Sequence, residues 1–155
     1  MARWSAATLS IYSDTGLAAH VSEALGLVPR SAHEKGDRRV GKSREYAPYK
    51  SSGWHYEPDA SKIEPDDTTG FAALRALVAD IRHLSGALAS LRPEYATIVR
   101  WSGEVSVQGN FVMEPELLAD LGALGCQFYG TAYTEFDSDA EYDDSVDLRT
   151  RNRPG

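Results

Sequence analysis

The chain has 155 residues, 42% of them apolar, and a formal net charge of −7 with a pI near 5.0. That is the size of one globular domain able to bury its own core, and the acidic balance argues against a general nucleic-acid binder, since phosphate neutralisation needs a basic surface. A lone cysteine, Cys126, rules out an intrachain disulfide and points to reducing cytosol, while the lack of a signal-peptide core and of any run of about 18 apolar residues predicts a soluble, cytoplasmic protein with no membrane partner.

Thr8 to Ser13 alternates, with Leu9 and Ile11 on one face and Thr8, Ser10 and Tyr12 on the other, which predicts a half-buried first strand. Asp14 or Thr15 then caps a short amphipathic helix carrying Leu17, Val21, Ala24 and Leu25 on one face, with Gly26 and Pro29 as stop signals. From Arg30 to Lys50 the periodicity is lost and a basic loop is expected, rich in Arg38, Arg39, Lys42 and Arg44; its ordinary explanation is a solvated charge run. Ser52 to Glu57 alternates Trp54 and Tyr56 against His55 and suits a short strand.

An acidic linker, Pro58 to Asp67, leads to the longest periodic stretch, Thr69 to Leu91. There Phe71, Leu74, Leu77, Val78, Ile81, Leu84, Leu88 and Leu91 recur at steps of three and four, predicting one helix on the order of 30 Å long, capped by Thr68 or Thr69 and ended by Pro93. Ala96 to Trp101 is a strand of strong β formers, and Val105 with Val107 continues as a short one before a turn at Gln108 to Asn110. Pro115 opens a last helix with Leu117, Leu118, Leu121 and Leu124 on its face and Gly125 as its stop. A final strand, Cys126 to Phe136, sets Phe128, Gly130 and Ala132 against Tyr129, Thr131 and Tyr133.

These elements make an α+β two-layer sandwich, a mostly antiparallel sheet with helices on one face in the ferredoxin-like manner. Residues 1–136 form its single domain. Residues 137–155 are a tail rich in Asp, Glu and Arg, with too little apolar surface to order itself.

Several motifs could carry chemistry. Gly36 to Ser43 satisfies the phosphate-loop pattern G-x-x-x-x-G-K-S, but no apolar strand precedes it and Pro48 follows soon after, so the strand–loop–helix context is absent. The four histidines, His20, His33, His55 and His83, show no zinc spacing, and a cation site at His33, Glu34 and Asp37 is outweighed by solvation. Cys126 reads as a small buried hydrophobe with no identifiable base. No cofactor or metal site is expected. More telling are Tyr46, Tyr49, Trp54 and Tyr56 beside the basic loop, because aromatics interleaved with Arg and Lys stack bases or anchor protein partners; the alternative role of Trp54 and Tyr56 is to close the sheet core.

The succession of Leu9-Ser10-Ile11-Tyr12-Ser13-Asp14, Leu25-Gly26-Leu27-Val28-Pro29, Lys35-Gly36-Asp37-Arg38, Gly53-Trp54, Glu116-Leu117-Leu118 and Leu121 to Gly125 resembles the bacterial family called domain of unknown function 4279, over roughly residues 6 to 136. The resemblance implies a small cytosolic domain and brings no activity or catalytic residue. One departure is the last strand, where relatives carry an acidic residue, a hydrophobic one and tyrosine and this chain has Gly130-Thr131-Ala132-Tyr133.

The expectation is therefore a non-enzymatic protein-binding module, most concretely an immunity-type protein sequestering a basic partner such as a toxin domain. The candidate contact residues are Arg38, Arg39, Lys42, Tyr49, Trp54, His55 and Tyr56. The competing reading is an anionic-ligand domain or unrecognised enzyme using the basic loop 30–50. Nucleic-acid binding by that loop ranks third.

Overall fold

The computed structural model describes residues 4–105 and 110–134. In chain order it contains β1 (Ser5–Ser13), α1 (Ala18–Leu25), β2 (Ser31–His33), β3 (Arg39–Val40), β4 (Glu45–Tyr46), β5 (Ser52–Tyr56), α2 (Ala72–Ile81), α3 (Ser85–Leu91), β6 (Ala96–Val105), α4 (Pro115–Leu124) and β7 (Gln127–Thr134). The expected acidic tail and the strand through Val107 fall wholly or partly outside the described residues.

The fold is α+β. Its sheet runs β2-β5-β1-β6-β7, with the first three pairings antiparallel and β6 parallel to β7. Because β5 and β6 are each antiparallel to the strand between them, they are parallel to one another, and the chain joining them makes the split β-α-β unit of ferredoxin-like folds. Ala7, Leu9 and Ile11 on β1 meet Trp54, Val99 and Trp101 from the neighbouring strands, and all lie in one core with Val21, Leu74, Leu77, Ile81, Leu88, Leu117 and Leu124 of the helices. One face of the sheet is thus covered by helices, each buried leucine or isoleucine contributing about 1.5–3 kcal/mol.

The long helix expected over Thr69 to Leu91 is two helices. A 3-10 turn at Arg82–Leu84 separates α2 from α3, although Ile81 and Leu88 on either side are both 0% exposed. Apolar spacing reports which residues face inward, and a tightened turn preserves that while changing the axis.

Both major helix starts are capped from outside the expected positions. The Glu34 carboxylate accepts from the N–H groups of Ala18 and Ala19 at 3.0 Å each, in place of Asp14 or Thr15. Asp67 accepts from Gly70 and Ala72, while Thr69, the expected cap, assists through its hydroxyl. A carboxylate at a helix N-terminus satisfies orphan N–H groups and meets the positive end of the dipole, whichever part of the chain supplies it.

The loop 30–50 carries more structure than expected. Its start pairs with β5 as β2, and β3 and β4 form a small hairpin closed by the Gly41 N–H donating to the Arg44 carbonyl. Tyr49 and Asp37 hydrogen-bond across the hairpin's base, where Gly36 has φ +89°. Glycine is suited to that left-handed backbone.

Candidate functional site

Strand alternation sends a second set of side chains to the face that carries no helix among the described residues. Register places Tyr12, Gly53 and His33 in one row across β1, β5 and β2; Ser10, His55 and Ile98 in the next; and Thr8, Arg100 and Tyr129 in a third. Outward positions of all five strands therefore share this face.

Their contacts form a continuous path. Ser10 Oγ and His55 Nδ1 share a hydrogen bond of 3.0 Å, its donor set by the histidine tautomer. The His55 ring meets Tyr12 edge-on at 5.3 Å and lies 6.3 Å from His33. His33 stacks on Tyr49 at 3.5 Å between centroids, and the Arg39 guanidinium lies 5.1 Å from the Tyr49 centroid. On the other side Arg100 Nη2 donates to the Tyr12 hydroxyl at 3.2 Å, and its guanidinium is within 6.0 Å of the Tyr129 ring. Arginine over aromatic faces at these distances is a cation–π arrangement.

Electrostatics follow from partial burial. Desolvation lowers the His33 pKa below its usual 6.5, against the opposing pull of the Ser51 backbone and Asp37. The imidazole is thereby held toward its neutral, stacking form near pH 7. Arg100 Nε is buried without a hydrogen-bond partner among the described residues.

The His33 ring owes its place to Gly53, whose missing side chain leaves the space the ring occupies. Gly53→Ala should push the ring aside, break its stack on Tyr49 and bring its titration back toward 6.5. A histidine NMR titration reads this directly; an unchanged His33 curve would mean the stack does not depend on the glycine.

The seven sequence-derived contact residues divide between two faces. Trp54 is 0% exposed and its Nε1 donates to Ser22 Oγ at 2.9 Å within the core. Tyr56 shares that side and donates to Asp80 at 2.8 Å; burial, helped by the Asp80 carboxylate, pushes its hydroxyl up to about 12. These two do not belong to an exposed surface, because register gives them the parity of Ile11 and Leu9. His55 has the opposite parity and sits at the centre of the helix-free face. Arg39 and Tyr49 join it from the loop, whereas Arg38 is exposed and pairs with Glu45 at 3.3 Å, and Lys42 is exposed at the hairpin tip.

The remaining motifs resolve structurally. Gly36 to Ser43 is hairpin, with no helix starting at Lys42, so the phosphate-loop geometry is not formed. Glu34 caps α1 and Asp37 accepts from the Glu34 N–H, so both carboxylates are engaged by backbone donors; no cluster of three or more metal-ligating side chains occurs among the described residues. Burial raises the Cys126 thiol pKa, as for an inert small hydrophobe. Ser10 beside His55 is 1% exposed and lies mid-strand, with neither access for a substrate nor spare backbone donors for an oxyanion. A groove of about 320 Å³ lies on the helical side between α2 and α4, spanned by Arg75–Glu114 and Arg82–Asp120 ion pairs.

Tyr12, His33, Arg100 and Tyr129 were not among the expected contact residues. The signal for Tyr12, Arg100 and Tyr129 was the polar side of each alternating strand, which becomes a surface only once strand order is known; His33 lay in a stretch read as loop and carried no such signal.

A family model described as Domain of unknown function (DUF4279) matches residues 2–135. No curated protein and no solved structure matches the chain.

Proposed function

Taking as premise that the chain belongs to the DUF4279 family, we propose that it is a non-enzymatic binding module whose contact surface for a protein partner is the helix-free face of the sheet. The observation that carries this is the path from Arg39 through Tyr49, His33, His55, Tyr12 and Arg100 to Tyr129. Tyrosine and arginine are the side chains most often responsible for binding energy at protein interfaces, and here their stacking limits the entropy lost on binding.

The polarity of this surface refines the expected partner. Net charge alone suggested a basic one, and the acid-rich segment behind that idea is outside the described residues. The cations Arg39 and Arg100 on the face favour a partner patch carrying carboxylates or other anions. An immunity-type role would then place the contact on an acidic part of the toxin. Cytoplasmic location fits this reading, and no described helix is long and apolar enough to cross a membrane.

The test immobilises the full chain against lysate of its own organism, beside Tyr49→Ala, Arg100→Ala and the helix-side control Arg82→Ala. A stoichiometric protein held by wild type and Arg82→Ala should be weakened about tenfold or more in each of the other two. Equal retention by all four would overturn the proposal.

A further inference from the structure

The helix-free face is short of negative charge. Arg30, Arg38, Arg75 and Arg82 each form an ion pair with a carboxylate, whereas Arg39 and Arg100 form none among the described residues. The five strands of the sheet contain one acid, Glu104. Arg100 also buries an Nε–H that meets no acceptor among the described residues, an unfavourable state for a buried donor. The missing charge is elsewhere in the chain. Residues 135–147, outside the described residues, hold seven acids and no Lys or Arg, which equals the whole net charge of −7 and leaves the rest of the chain balanced.

We propose that this acid-rich stretch lies across the helix-free face as an intramolecular ligand for Arg100 and Arg39. Its length and starting point fit that path. Register sets Thr134 beside Val105 and Tyr12 beside Ala96, and the Tyr12 row continues through Gly53 to His33. The ends of this diagonal are nine residues apart along the strands and four strands apart across them. At about 3.3 Å per residue and about 4.8 Å per strand the diagonal is roughly 36 Å, or about eleven extended residues. Reversing direction after Thr134 takes about two more, which makes the path as long as the acidic stretch. Arg100 lies five residues back from Thr134 and one strand over, so the same path brings Glu141 to Arg100 and Asp147 to His33 and Arg39.

Charge and tethering together select this occupant. The face offers cations that lack carboxylates, and the stretch offers carboxylates that lack cations. Tethered after Thr134, it meets the face at an effective concentration of about millimolar, above what the same stretch of a second copy reaches at micromolar protein. For the partner inferred above the stretch is a competitor, a consequence that rests on that reading while the contact itself does not. If it occupies the face in roughly nine molecules of ten, the partner binds about tenfold more weakly than the bare face would allow.

The experiment places a nitroxide on Ser145→Cys in the full chain, with Cys126→Ala so that one site is labelled, and reads amide intensities by NMR without any partner. The amides of Tyr12, His33 and Tyr49 should lose most of their intensity at low salt, while those of α4 stay sharp. Intensity should return at about 1 M salt, where the screening length is about 3 Å, and should return without salt in Arg39→Gln combined with Arg100→Gln, circular dichroism confirming that each variant folds. The loss should be the same at about 20 and 400 μM protein, as for a tethered contact. Uniform intensities at low salt, or broadening confined to β7, would sink the proposal. Broadening that grows with protein concentration would assign the contact to a second copy and overturn it equally. The competition has its own readout: replacing the seven acids by their amides should strengthen retention of the partner about tenfold, and equal retention beside a positive nitroxide result would overturn the competition. A nitroxide contact with no partner found would count against the partner reading alone.

Discussion

Trp54→Ala should cost about 3–5 kcal/mol of folding stability, the range for removing a large aromatic from a packed core. Trp54 is 0% exposed, stacks on Tyr56 at 6.2 Å and donates its indole N–H to Ser22 Oγ, so the change removes apolar packing and a hydrogen bond tying β5 to α1. Against a total of about 5–15 kcal/mol for a domain, the variant would be marginal, with a melting temperature lowered by roughly 10 °C or more. Trp4→Ala is the control. At 53% exposure Trp4 should matter by no more than about 0.5 kcal/mol. Urea unfolding followed by far-ultraviolet circular dichroism compares the two. A Trp54 loss below about 1.5 kcal/mol would mean the side chain is not held in the core, and would return it to the list of partner anchors.

Trp54 also shows where sequence reasoning reached its limit. Alternation within Ser52 to Glu57 separates Trp54 and Tyr56 from His55, but not which side faces the helices. That is settled across strands, by Ile11 lying opposite Trp54 and Ser10 opposite His55. The apolar side of β1 was legible from Leu9 and Ile11, so a correct pairing of β1 with β5 would have sent Trp54 inward and His55 outward. Pairing is a non-local property, and the stretch from Arg30 to Lys50 that leads into β5 carries no periodic signal.

Local features fared better. Gly26 and Gly125 end α1 and α4 with φ of +64° and +65°, as their positions after apolar helical faces indicate. The two faces of β7 were separable because its alternation is regular. The cap supplied by Glu34 was not, since an acid in a charged loop has the same local appearance whether it meets water or a distant helix. The helix-free site combines both cases: the polar faces of β1, β5 and β7 were visible alone, β2 with His33 was read as loop, and the path linking Arg39 to Tyr129 exists only through strand order and the folding back of the loop at Tyr49.

Asp67→Ala should destabilise by about 3–5 kcal/mol, because it takes from a partly buried arginine the nearest and most buried of its counter-charges, leaving only Glu114 and Glu64 at 3.3 and 3.8 Å, and strips a helix of its cap. Asp67 is 5% exposed. Its carboxylate pairs with Arg75 Nη2 at 2.6 Å and accepts from Thr69, Gly70 and Ala72 at the start of α2. Burial alone would raise its pKa, but the hydrogen bonds from Thr69 and Arg75 outweigh that and bring it from 3.8 to about 2. The folded value lies below the unfolded one, so the unfolded chain takes up the proton first as pH falls. The contribution is full above about pH 4 and is lost as pH falls through 2. A shift of that size corresponds to roughly 2 kcal/mol, less than the cost of the alanine variant because a protonated aspartate keeps part of its hydrogen bonding. Asp67→Asn, which retains shape and one acceptor, should fall between wild type and alanine and should flatten the stability profile between pH 4 and 2. Urea midpoints across that range decide the matter: a wild-type slope that persists undiminished in Asp67→Asn would assign the acid sensitivity to other carboxylates and leave Asp67 with capping alone.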